Sequence, residues 1–197
     1  MRRPILAVLV VAAVHGGLAP TPSARADASD SHVDLIFRVA PGGIRFDISG
    51  DDERLDADPS LGGELRFDIP VAKRISLGPA FSVYTVRPKN SGIKRQPVFD
   101  IDPFLKIRGV RGRRKRVELY GLVHGGVSLV FLREAYRGPG DDKFTAGWNI
   151  GFMPGARLIM GRRFGLIFEF GYMRTQWKTN STRLAFNQGV FRVGLSF

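Results

Sequence analysis

The chain has 197 residues, 30 Lys and Arg against 18 Asp and Glu for a formal net charge of +12, and no cysteine. That length fits one domain with a sizeable core, and the absence of thiols excludes the disulfide framework on which small secreted domains usually depend. The positive balance points to polyanionic partners, either nucleic acid or an anionic lipid surface.

The first 26 residues read as an export signal. Arg2 and Arg3 precede an apolar run over 5–14, and Ala24-Arg25-Ala26 follows, so cleavage is expected before Asp27. Such a run falls far short of the roughly 20 residues that span a bilayer as a helix, and Gly16, Gly17 and Pro20 interrupt any extension. The folded domain is then 27–197. Arg2, Arg3 and Arg25 leave with the signal and no acid does, which lowers the charge to +9. An exported chain rarely meets nucleic acid, so no nucleic-acid partner is expected; outer-membrane lipids and lipopolysaccharide are the counter-charges in reach.

From residue 33 onward the dominant period is two, not 3.6. Eight strands are predicted, over 33–48, 61–69, 75–86, 98–108, 117–132, 144–158, 164–177 and 184–197. In the first, Val33, Leu35, Phe37 and Val39 share a face, while Ile44, Phe46 and Ile48 follow in the other phase after Pro41-Gly42-Gly43. Either a bulge within one strand or a tight hairpin accounts for the change. Long polar connections over 49–60, 87–97 and 133–143 alternate with compact ones around Ala72-Lys73-Arg74 and Gly161-Arg162-Arg163, and such alternation is a mark of barrels with short periplasmic turns.

Charge is divided by face. Arg174 is the one charged residue on the apolar faces; the opposite faces carry Asp34, Asp47, Glu64, Asp68, Asp100, Asp102, Glu118 and Glu169, with Arg38, Arg45, Arg66, Lys106, Arg108, Arg157 and Arg192. His124 joins the polar set. Near-neutral mixed charge suits a narrow lumen, where little water enters and each ion needs a partner. A soluble barrel with the apolar face inside is the alternative. Against it stand the length of the strands, the glycines at 126, 151, 165, 171 and 194 on the charged face, and the aromatic residues at apolar strand ends. Phe99, Phe131, Trp148 and Tyr172 mark one rim and Phe164 and Phe197 the other. The expected fold is all-β: a closed antiparallel up-and-down transmembrane β-barrel.

The ending Gly189-Val-Phe-Arg-Val-Gly-Leu-Ser-Phe197 resembles the C-terminal recognition strand of bacterial outer-membrane barrels, with Phe191, Val193, Leu195 and Phe197 as the alternating apolar signal. The layout of 33–197 is similar to small eight-stranded barrels such as the outer-membrane protein A transmembrane domain. The resemblance implies an outer-membrane location and the barrel-assembly machinery as a partner.

Catalytic and metal signals are sparse. His32 precedes the first predicted strand and reads as a solvated terminus. His124 lies on a face with Glu118 and Ser128, too far apart along one strand for a triad. Asp100 and Asp102 share a face, and ion pairing with inward bases is the expected role, ahead of an acid pair or a cation site. The acidic run Asp51-Asp52-Glu53 with Asp56 and Asp58 lacks the ligand spacing of a calcium loop. Arg111-Gly-Arg-Arg-Lys-Arg116 reads as a basic turn or a headgroup contact. The expectation is a monomeric, non-enzymatic barrel without cofactor or metal, in envelope integrity or surface interaction. A lipid A or phospholipid modifying enzyme and a narrow solute pore are the alternatives.

Overall fold

The computed structural model describes residues 31–40, 45–48, 53–87, 89, 94–111, 116–131, 143–160, 164–178 and 183–197. The expected signal segment, the phase change over 41–44, the acids at 51 and 52, and positions 112–115, 162 and 163 of the basic turns lie outside them.

Alternating segments of this kind leave one apolar and one polar face, and pairing them edge to edge satisfies their backbone groups. The strands are β1 His32–Ala40, β2 Arg45–Ile48, β3 Glu53–Asp56, β4 Ser60–Ala72, β5 Ile75–Val86, β6 Gln96–Arg111, β7 Val117–Phe131, β8 Phe144–Ile159, β9 Gly165–Lys178 and β10 Arg183–Ser196. β1 and β2 both run antiparallel to β10, through Leu35↔Leu195 and Phe46↔Phe186, so they form one interrupted barrel strand. β4 and β3 lie opposite them in the same way, through Ala40↔Ser60 and Arg45↔Asp56. The result is eight barrel strands, each neighbouring strand antiparallel, with β1 closing on β10. At the seam Val33 and Phe197 exchange both backbone bonds, at 3.1 and 2.9 Å.

Two expectations about the connections are corrected. Residues 49–60 are not one long loop, because Glu53–Asp56 pairs with β2 and carries the first hairpin further outward. The alternation of loop length is also weaker than predicted, since residues 179–182 are all that separates β9 from β10. The 87–95 and 132–143 connections remain long.

The apolar faces point outward. Leu35, Phe37, Leu61, Phe81, Ile101, Leu119, Phe152, Phe168, Phe170 and Phe191 are exposed, while Asp34, Arg38, Glu64, Arg66, Asp68 and Lys106 between them are buried. Aromatic contacts edge this belt, with Phe99–Phe131 at 6.0 Å, Phe131–Phe144 at 5.2 Å and, at the other rim, Phe164–Phe197 at 5.8 Å between ring centroids.

Of the five prolines within strands, Pro79, Pro103 and Pro154 lie in mid-strand. Pro79 and Pro103 face each other across β5 and β6, and Pro154 faces Gly121 across β7 and β8. Each aims its missing N–H at the other neighbour, where the ladder lapses for two positions. On β8–β9 the pairing skips from Phe152↔Tyr172 to Gly155↔Glu169.

The interior is crowded. A Cβ at Gly171 would lie 2.1 Å from the Phe152 carbonyl oxygen, whereas at outward-facing Gly189 the nearest atom is 4.0 Å away. Gly171→Ala should therefore lower stability by about 1–3 kcal/mol through overpacking. Gly189→Ala on the adjoining strand should stay within about 0.5 kcal/mol. Urea unfolding of the refolded protein in micelles compares the two.

Candidate functional site

The polar side chains of the lumen fall into layers along the barrel axis. At the end of the compact turns, β4, β9 and β10 converge on Arg66. Its guanidinium donates to Glu64 Oε1 from Nε and Nη2 (3.1 and 2.8 Å), and to the two Glu169 oxygens from Nη1 and Nη2 (2.7 and 3.0 Å). Arg192 closes the ring with Nη2 at 2.9 Å from Glu64 Oε2 and Nη1 at 3.6 Å from Glu169. Tyr120 donates to Glu169 Oε1 at 2.7 Å. Two acids thus face two guanidiniums, and the planar fork of Arg matches carboxylate geometry.

Asp68 centres a second cluster. Lys106 Nζ donates to it at 2.7 Å, His32 Nε2 lies at 3.1 Å and Arg108 Nη2 at 3.5 Å. Arg108 Nε is in turn 3.9 Å from Glu118. Asp34 lies between the clusters, 3.8 Å from Arg66 and 3.6 Å from His32. Arg157 is half-buried with Nη1 3.4 Å from the His32 ring nitrogens. His32 is therefore not a solvated terminus: it is the first residue of β1, is 6% exposed, and its register opposite Asp68 holds it in the barrel.

The middle layer mixes the expected pairing of carboxylates with bases and bonds to neutral groups. Asp102 accepts from Asn149 Nδ2 at 2.8 Å and meets His124 Nδ1 at 3.1 Å. Asp100 accepts from Ser128 Oγ at 2.5 Å, and Trp177 Nε1 donates to the same hydroxyl at 3.2 Å. Arg38 is buried with its guanidinium 3.8 Å from the Tyr84 ring centroid, a cation–π contact. Its nitrogens have no hydrogen-bond partner among the described residues. Strand order explains the partners: Ser128 and His124 lie on β7 beside β6, with Ser128 in register with Asp100, while Asn149 of β8 and Trp177 of β9 each reach past one strand.

A third layer was not foreseen. Toward the long connections Val86, Val98, Val130, Trp177, Leu184 and Phe186 are buried inside the barrel. They fill the outer mouth where the sequence reading placed a continuous polar face. Alternation was the available signal: each of these residues keeps the inward phase of its strand, but apolarity hid the fact. Tyr84, Tyr120, Ser128 and Asn149 were likewise missed as network members, because the charge census passed over neutral groups.

Other predicted positions fall wholly or partly outside the described residues. The backbones of Arg45 and Asp47 belong to β2, but their side chains lie outside the described residues, as do most of the acidic run and of the Arg111 to Arg116 cluster. Asp58 is hydrogen-bonded by Arg87, and Asp56 is exposed. Arg116 is exposed at the start of β7.

His32, Asp34 and Asp68 bring ligand atoms within 4.8 Å of one another. Lys106 and Arg108 already hold Asp68, and the Arg66 and Arg157 guanidiniums flank the other two. Positive charge at these distances opposes a bound cation, so the cluster fits an ion-pair network.

No protein-family model and no curated protein matches the chain. Among solved structures it is similar to the outer membrane protein OprG from Pseudomonas aeruginosa, with 14% identity, a TM-score of 0.50, and coverage of 84% of this chain and 94% of that one. Neisserial surface protein A aligns at 14% identity and a TM-score of 0.47 over 83% and 96% of the two chains. Ail, the attachment invasion locus protein of Yersinia pestis, aligns at 12% and 0.45 over 85% and 99%. The likeness to OprG is one of fold, the small eight-stranded barrel of outer-membrane proteins.

Arg66 and Arg38, both fully buried, should respond differently to mutation. Arg66→Met removes the four hydrogen bonds that Glu64 and Glu169 accept from it, leaves Arg192 alone against two buried acids and should cost about 3–5 kcal/mol. Arg38→Met removes a guanidinium that makes a ring contact and no hydrogen bond, and should be near neutral. Equal losses in denaturant unfolding would contradict this assignment of partners.

Proposed function

We propose that this chain is an integral outer-membrane β-barrel whose filled lumen is a structural core, and whose work is done at its surface without catalysis. It contributes to envelope integrity or to contacts made by its long connections. The observation that carries this reading is the inversion of polarity: large apolar side chains are exposed on strand after strand, while charged ones are buried within. In water a continuous apolar belt of this kind drives aggregation. In a bilayer it is the solvated face, and the closed ladder leaves few backbone groups to be stranded there.

The even strand number puts His32 and Phe197 at the end of the compact turns, which under this reading faces the periplasm. Phe191, Val193 and Phe197 are exposed along the closing strand, and Leu195 is half-exposed. That presentation suits recognition by the barrel-assembly machinery before closure. Outer-membrane lipids and lipopolysaccharide are the remaining partners, and a monomer is the expected state.

The geometry gives less support to the alternatives. His124 and Asp102 form the pair that acid–base chemistry needs, with Asn149 fixing the acid. Yet His124 is 3% exposed, and a Cβ at Gly151 would sit 2.3 Å from Nε2, so the ring edge is packed against backbone. A solute path meets the Arg66–Glu169 layer and then Trp177 and Phe186.

Unboiled protein in detergent is expected to migrate differently from boiled protein on a denaturing gel. Full solubility without detergent and no shift would end the membrane reading. Phe168→Arg, on the exposed belt, should destabilise by about 2–4 kcal/mol in a bilayer. Cells overproducing the protein should show unchanged lipid A mass and phospholipid turnover; an altered lipid A mass would instead favour the enzyme.

A further inference from the structure

The apolar belt does not reach the same height on every strand. On β7 and β8 it runs out to Phe131, Phe144 and Trp148, all exposed toward the long connections. On β9 it stops at Tyr172, and the outward positions beyond are Arg174, Gln176 and Lys178. Register sets the level: Arg174 stands beside Ile150 of β8, two residues nearer the middle of the belt than Trp148, and Gln176 stands beside Trp148 itself. An arginine on the lipid side of a barrel is costly at the bilayer centre and tolerated near the interface, where its long side chain reaches the headgroups.

The adjoining strand continues this polar column. Exposed Lys178 is directly opposite exposed Arg183 on β10, and Arg174 is opposite Asn187. Like charges placed directly across a strand pair repel, and an anion between them relieves that repulsion. The Tyr172 hydroxyl donates to Asn187 Oδ1 at 2.7 Å, which leaves the N–H groups of that amide for other acceptors beside Arg174. No acid occurs in residues 144–152, 170–178 or 183–191. β2 brings Arg45 and Asp47 to the next register positions, and their charges cancel. The outer ends of β9 and β10 thus form a cationic wall, above an apolar surface of Ile150, Phe152, Phe170 and Phe191.

We propose that this wall docks the diphosphorylated lipid anchor of lipopolysaccharide, with one phosphate at Arg174 and the other at Lys178 and Arg183. The proposal rests on the membrane reading above and gives one of its lipid partners a place on the barrel. Residues four apart on a strand are separated by about 13 Å, so Arg174 and the Lys178–Arg183 pair meet different phosphates. Strand tilt of about 35–45° turns part of that separation sideways in the membrane plane, and the Arg174 side chain reaches back toward the interface. A headgroup with one phosphate engages one of the two positions; the diphosphorylated glycolipid engages both. The planar fork of Arg174 matches a phosphate bidentately, Lys178 acts as a point charge, and the acyl chains lie on the apolar surface below.

The test uses the folded protein inserted into phosphatidylcholine vesicles that carry equal mole fractions of diphosphoryl lipid A, monophosphoryl lipid A and phosphatidylglycerol, extracted gently and weighed by native mass spectrometry. Wild-type protein should keep diphosphoryl lipid A several-fold more often than either of the others. Arg174→Gln combined with Lys178→Gln should abolish that preference. Lys89→Gln removes an exposed cation from the β5–β6 connection, on the opposite wall of the barrel at the same end, and should leave the preference intact. Retention of either comparison lipid as often as diphosphoryl lipid A, or an unchanged preference in the double variant, overturns the proposal. So does an equal loss in Lys89→Gln, which would make net charge and not this wall the cause. The heat-dependent gel shift, run on every sample, separates the two levels: an inserted barrel without the preference defeats the docking site alone, and failure to insert defeats the membrane reading as well.

Discussion

The constraint on which the barrel depends is that charge inside a closed, narrow lumen must be neutralised there. Arg66 meets it most completely, with Glu64 and Glu169 each accepting two of its hydrogen bonds and Arg192 balancing the second acid. An ion buried alone costs many kcal/mol, and a paired one costs little or gains little. The network is therefore better understood as a condition that fixes which strands face each other than as a source of stability. β4, β9 and β10 have one mutual arrangement in which these four side chains meet, and a register slip of one residue would turn all of them into the surroundings.

Volume imposes the second condition. Arginines, tyrosines and a tryptophan fill the lumen because glycines on neighbouring strands make room for them. His124 lies over Gly151, Tyr120 over Gly155 and Met153 over Gly171. Large and small residues alternate around the wall as they do in a packed core. The outer layer of Val98, Trp177 and Phe186 continues this packing without charge, so the interior changes from ionic to apolar along the barrel axis.

Much of this was legible in the sequence because both faces of a strand leave a period-two trace. The strand limits at 75–86 agree with β5 residue for residue, and exposed Arg174 kept its place on the apolar face. What could not be read was partnership across the lumen. Asp100 and Asp102 were expected to pair with inward bases; His124 is the base beside Asp102, and the neutral Ser128 and Asn149 supply the other bonds, because β6 lies beside β7 and near β8. His32 was misjudged for a related reason: its burial comes from Asp68, 36 positions away in the chain, through the β1–β4 register. Trp177 and Phe186 escaped notice since an inward apolar residue breaks the polarity pattern while keeping its phase.

The seam between Val33 and Phe197 has a consequence in time. It joins the two ends of the described fold, so its contacts carry the longest loop-closure cost of any pairing in the sheet. Seven of the eight junctions link strands adjacent in sequence and are free to form hairpin by hairpin. Until the eighth forms, β1 and β10 are bare edges with unpaired amides and carbonyls, the condition in which sheets recruit foreign strands. The hazard of this molecule is thus concentrated in the interval before closure, and afterwards the same two edges are hidden in each other.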